Sequence, residues 1–134
     1  MTNTKAIAIE LLLALGVVTT AAAGPTDAIV HPRITKVLPD VPGKEVMMLE
    51  VEYPPGGVDP VHRHHAHGFI YVLEGEIVMG VKGGKAVTLR PGDTFYEGPG
   101  DVHTIGRNAS TTKPARFLAV LVKNAGAAAL VPAK

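Results

Sequence analysis

Phe69-Ile70-Tyr71-Val72-Leu73-Glu74-Gly75-Glu76-Ile77-Val78-Met79-Gly80-Val81-Lys82-Gly83-Gly84-Lys85 decides the fold class of this chain. Five apolar residues in a row, rich in aromatic and branched side chains and too short for a helix of ordinary length, read as a strand buried on both faces. Glu74-Gly75 turns the chain, and Ile77–Val81 follows as the return strand. Lys82-Gly83-Gly84-Lys85 is a hairpin turn, because glycine reaches the positive φ that tight turns need. The same grammar extends in both directions. Upstream, Met47, Leu49, Val51 and Tyr53 alternate with Glu50 and Glu52 until Pro54-Pro55-Gly56-Gly57 breaks the run. Downstream come Ala86–Leu89, the turn Arg90-Pro91-Gly92-Asp93, a short strand Thr94–Glu97, the turn Gly98-Pro99-Gly100-Asp101, and a strong strand Phe117–Val122. Nothing after Ala23 carries a helical period. Short strands punctuated by Gly and Pro predict a single all-β domain, an antiparallel sandwich or barrel.

Composition narrows the function. The 134 residues include no cysteine, which excludes disulfides, thiolate metal sites and thiol nucleophiles. The formal net charge is +1 with no basic block, which argues against a nucleic-acid partner. Residues 1–23 read as an export signal: Lys5 provides the positive start, Ala6–Val18 the apolar run, and Ala21-Ala22-Ala23 the small residues at a cleavage site. The apolar run is too short to span a bilayer comfortably and is interrupted by Glu10. Cleavage would leave 24–134 as a secreted or periplasmic domain with no stable membrane span. The tail Asn124–Lys134 is Ala-rich and reads as loosely held.

Five of the six histidines cluster in His62-Arg63-His64-His65-Ala66-His67 and His103. Imidazole is the commonest protein ligand for transition metals, and alternate residues of a strand share a face. His62 and His64 can therefore grip one ion, with His103 arriving from a distant strand. His67 has the wrong parity, but a bulge around Ala66–Gly68 would swing it inward, as a fourth ligand or as a hydrogen-bond donor supporting the ligands. His65 shares that parity and reads as a rim residue, and His31 as structural. Glu97 is either a carboxylate supporting the ligands, an acid/base group, or an exposed strand end. Tyr53 and Tyr96 either line the cavity or pack in the core.

Gly57…His62-x-His64…Gly75 resembles the first motif of the cupins. Gly92-Asp93-Thr94-Phe95-Tyr96-Glu97-Gly98-Pro99-Gly100-Asp101-Val102-His103 resembles the second. The resemblance spans roughly Tyr53 to Val122. It implies a small single-domain cupin jelly roll with a metal near its mouth, often a homodimer. Gly68 stands where the first motif usually carries a metal-binding Glu. Three neutral imidazoles without a carboxylate favour copper, then zinc or nickel, then iron or manganese. The expected function is an exported copper oxidoreductase using dioxygen or peroxide on a small-molecule or polysaccharide substrate. Glu97 and Tyr96 would assist, and the plan resembles small copper cupins that cleave cellulose. The alternatives are a non-catalytic metal- or ligand-binding cupin, a zinc or nickel isomerase or lyase, and an aromatic-compound dioxygenase.

Overall fold

The computed structural model describes residues 26–134; the proposed export signal lies outside the described residues. Ten strands are present: β1 (Ile29–Val37), β2 (Lys44–Tyr53), β3 (His62–Arg63), β4 (Ala66–Glu74), β5 (Ile77–Val81), β6 (Val87–Leu89), β7 (Thr94–Glu97), β8 (His103–Asn108), β9 (Ala115–Asn124) and β10 (Val131–Pro132). No helix occurs among the described residues, so none there is long and apolar enough to cross a membrane. The strands form two five-stranded antiparallel sheets, ordered β1-β2-β9-β4-β7 and β10-β3-β8-β5-β6. This is the predicted all-β jelly-roll sandwich.

Alternation builds the core. β9 buries Ala115, Phe117, Ala119, Leu121 and Lys123 and leaves the residues between them half-buried. β2 supplies Leu49, Val51 and Tyr53 from the next strand, and β5 supplies Ile77 and Met79 from the facing sheet. Tyr53 packs edge-on against Phe117 with ring centroids 5.1 Å apart.

Three expectations need correction. β4 is buried on one face only: Ile70 and Val72 point inward, while Phe69, Tyr71 and Leu73 are exposed on the outer face of their sheet. A continuous apolar run does not distinguish a two-sided strand from a one-sided strand with an apolar outer surface. Ile77–Val81 is a strand, but it does not return alongside β4. It crosses into the second sheet and pairs with β6 and β8. The crossing turn needs Gly75, which has φ 71° and would place any Cβ 2.7 Å from the Pro114 carbonyl oxygen. The tail, finally, is tied down. β10 pairs with β3, and Lys123 Nζ, buried against Glu45, donates to the Ala127 carbonyl at 2.5 Å.

Candidate metal centre

The strands bring four side chains to one point inside the sandwich. His62 on β3 lies directly opposite His103 on β8, so both imidazoles face inward from adjacent strands. His64 follows β3, and Glu97 closes β7 in the other sheet. One donor atom from each of His62, His64, Glu97 and His103 lies within 4.8 Å of all the others. His62 Nε2 is 3.1 Å from His64 Nε2 and 3.2 Å from His103 Nδ1. Glu97 oxygens lie 3.5 Å from His103 Nδ1 and 3.6 Å from His64 Nε2. Donors about 2.1 Å from a common ion sit roughly 3.0–3.4 Å apart when adjacent in its coordination shell. The imidazole spacings of 3.1 and 3.2 Å fit that shell, and the Glu97 oxygens at 3.5 and 3.6 Å lie just outside it.

The protonation pattern makes the same case. His62 Nδ1 contacts the Pro60 carbonyl at 2.8 Å, and His64 Nδ1 contacts the Ala129 carbonyl at 2.5 Å. A carbonyl can only accept, so each Nδ1 carries the proton and each Nε2 of the neutral ring offers a lone pair. The two Nε2 atoms face each other at 3.1 Å. Burial, with His62 nearby, holds His64 below the usual imidazole range. Burial followed by His62 and His64 pulls His103 down to about 4. Burial thus disfavours a proton on His64 or His103, whereas a metal cation would accept the ring lone pairs. The residues fit a transition metal, with the second nitrogens of His62 and His64 oriented by backbone carbonyls as metal-binding histidines are.

Glu97 is buried, not the exposed strand end that the sequence allowed. Burial, then the charges of Asp101 and Asp59, raise its pKa to about 7. Near neutrality it can thus hold a proton, or release it to become an anionic oxygen donor.

Two expectations for this region fail on strand parity. His67 is exposed and points away from the cluster, because β4 runs without a bulge at Ala66–Gly68. Its Nδ1 meets the Tyr96 hydroxyl at 2.8 Å on the outer face. Tyr96 is likewise exposed: it neighbours Glu97 in β7, and adjacent residues of a strand face opposite ways. Neither residue lines the metal cavity. His65 and His31 are exposed, and Tyr53 is a core aromatic with a satisfied hydroxyl.

Tyr53 donates that hydrogen bond to Asp59 Oδ2 at 2.5 Å. Asp59 lines the cavity beside the histidines, and burial raises its pKa. It does not stand out in the sequence, where its one signal is its place in Val58-Asp59-Pro60, just ahead of His62. Gly106 holds this pair close to the metal ligands, since a Cβ there would lie 2.9 Å from Tyr53 Oη and 3.0 Å from both Asp59 Oδ2 and His103 Cε1.

A sequence profile of the cupin domain matches residues 49–121, more than half of the chain. The chain is a cupin. No curated protein sequence matches it. Among solved structures, this cupin is similar to the TT1209 protein of Thermus thermophilus at 26% identity, with a TM-score of 0.60 over 77% of this chain and 90% of that one. It is also similar to an oxalate oxidase, at 25% identity and a TM-score of 0.62 over 82% of this chain and 57% of that one. The DMSP lyase DddQ of Ruegeria pomeroyi DSS-3 shares 25% identity and a TM-score of 0.57 over 65% of this chain and 42% of the lyase. The chain therefore spans about half the length of these two enzymes.

Proposed function

We propose that this cupin is a metal-dependent oxidoreductase, exported from the cytoplasm, that holds one divalent first-row transition metal through His62, His64, His103 and Glu97. The observation that carries the reading is the convergence of four buried or half-buried donors, with His62 Nε2 and His64 Nε2 facing each other at 3.1 Å. Similarity to an oxalate oxidase and a DMSP lyase supports an enzyme on this scaffold.

Glu97 alters the choice of metal. On sequence alone copper leads, because no carboxylate is in view, and an anionic oxygen brings iron and manganese level with it. When bound, the metal supplies Lewis acidity and, if redox-active, electron transfer to an oxidant. The chain's own residues do the rest. Pro60 and Ala129 carbonyls fix two imidazoles, the aliphatic walls exclude water, and Glu97 holds or releases a proton at its carboxyl oxygens. A polysaccharide is the less supported substrate, because the donors sit in a recess of about 150 Å³ and not on an open face.

The test is elemental analysis of tag-free protein, followed by electron paramagnetic resonance of the copper- and manganese-loaded forms. We expect near-stoichiometric metal, a signal with several nitrogen couplings, and loss of both in His62→Ala. Failure of every divalent transition metal to bind would sink the proposal. Metal binding with no consumption of dioxygen or peroxide in the presence of oxidisable small molecules would leave a binding cupin or a non-redox enzyme.

A further inference from the structure

The cavity that the donors open into is chemically lopsided. One end carries His62, His64, His103, Glu97 and Asp59. Its walls include Leu49, Val51, Ile70, Met79 and Ala119, and Val30 and Leu130 stand at its rim. No lysine or arginine lines it among the described residues. Lys123, the buried cation of the core, is already engaged by Glu45 and the Ala127 carbonyl.

We infer that this site takes a small, uncharged, largely apolar molecule, about the size of one aromatic ring, that turns a single oxygen or nitrogen toward the histidines. The inference rests on the metal-site reading for its polar end alone.

Size sets the first limit. The cavity is about 150 Å³, and an apolar cavity of that order accommodates benzene. Wall chemistry sets the second. A hydroxyl or amide buried without a partner costs on the order of 1–3 kcal/mol, and an isolated charge far more. A sugar ring would set several hydroxyls against Leu49, Val51, Ile70 and Met79 with nothing to receive them. A dicarboxylate could place one group near the metal, but its second charge would meet aliphatic wall. In the metal-free protein Glu97 and Asp59 offer an anionic group no positive partner, and no lysine or arginine lines the cavity to supply one. A ring or short branched chain with one donor atom matches both ends: the donor meets the polar cluster and the body displaces water from hydrocarbon.

The experiment titrates phenol, benzoate, oxalate and cellobiose into metal-free and metal-loaded protein, read by calorimetry and by methyl resonances of Ile70 and Met79. Phenol is expected to bind at least tenfold tighter than the other three and to shift those methyls in both forms. Tighter binding of oxalate or cellobiose, or no phenol binding in either form, overturns the inference. Phenol entering a protein that takes up no metal would leave the inference standing and remove the metal reading instead. Two variants locate the binding. Ala119→Leu fills the cavity and should weaken phenol at least tenfold while metal uptake persists. Val30→Arg, at a half-exposed rim position that tolerates a charge, should bring benzoate within threefold of phenol. Benzoate binding unchanged by Val30→Arg, with phenol binding elsewhere by methyl shifts, counts against the cavity.

Discussion

Glu97 and His103 carry opposite pH signatures in the metal-free protein, and their signs can be worked out separately. Glu97 is raised from 4.5 to about 7, so the folded state binds the extra proton between those values and this group's contribution to stability falls as pH rises. His103 is lowered from 6.5 to about 4, so the folded state resists protonation and its contribution falls as pH drops through that window. At 1.36 kcal/mol per pH unit, each effect integrates to about 3 kcal/mol over its whole window. Glu97→Gln removes the first and keeps the second. Urea denaturation of metal-free protein should therefore show the variant gaining roughly 1–3 kcal/mol on wild type between pH 5 and pH 8. Parallel pH profiles would mean that Glu97 is not buried as described. Metal reverses the preference, because it binds the carboxylate form, so apparent affinity should climb to about pH 7 and then flatten in wild type but not in Glu97→Gln. His67→Ala should leave metal affinity unchanged, in contrast to His62→Ala, since His67 faces the other side of β4.

The C-terminal segment reaches the site just ahead of β10. The Ala129 carbonyl, 2.5 Å from His64 Nδ1, fixes the tautomer that aims Nε2 at the cluster. Outer partners of this kind typically change metal affinity 10–100-fold. Deleting residues 128–134 should therefore weaken metal binding at least tenfold in a chelator competition, with melting temperature little altered, because β10 pairs through only two residues. A large loss of melting temperature with intact affinity would assign the tail to the fold instead. None of this is legible in the sequence, since a two-residue strand has no period and a backbone carbonyl has no sequence signature. Where periodicity meets firm turn chemistry, sequence and structure agree: Ile77–Val81 and Thr94–Glu97 match β5 and β7 to the residue. β1 escapes because all nine of its residues are exposed, so no alternation of burial is impressed on Ile29–Val37. At the site, the HxH pair and His103 are readable because ligand identity lies in residue type. Glu97 and His67 are not settled by sequence, because each depends on which way a strand faces. The parity count is right for His67, and the bulge that would have overruled it is absent.

On the scale of the whole molecule, the outer face of the β1-β2-β9-β4-β7 sheet is unusually apolar for a solvated surface. Phe69 and Tyr96 are directly paired across β4 and β7, each about half exposed, and Tyr71 lies beside them. Leu118 and Val120 continue the patch onto β9, opposite Tyr71 and Phe69. One end is bordered by charge, where Glu50 binds both Arg33 and Arg116 and Arg116 also binds Glu74. An apolar centre with a polar border is the anatomy of a protein interface. The edge strand β1 adds Ile29, Val30 and Ile34, all exposed, and an uncovered apolar edge strand invites pairing unless something covers it. A second copy of this chain fits the patch, because a two-fold contact would set one patch on another of the same shape. The expected assembly is a homodimer through this face. Sedimentation at micromolar concentration should give a dimer for wild type and a monomer for Phe69→Glu, which places a charge at the patch centre without touching the core. The variant should keep its metal, since Phe69 lies on the opposite side of the sheet from His62, His64 and His103. A monomeric wild type, or a dimer indifferent to Phe69→Glu, would move the interface elsewhere. If dimer and metal were lost together, β4 would have to transmit between its two faces, a coupling that its regular pairing with β9 across Ala66–Val72 does not provide.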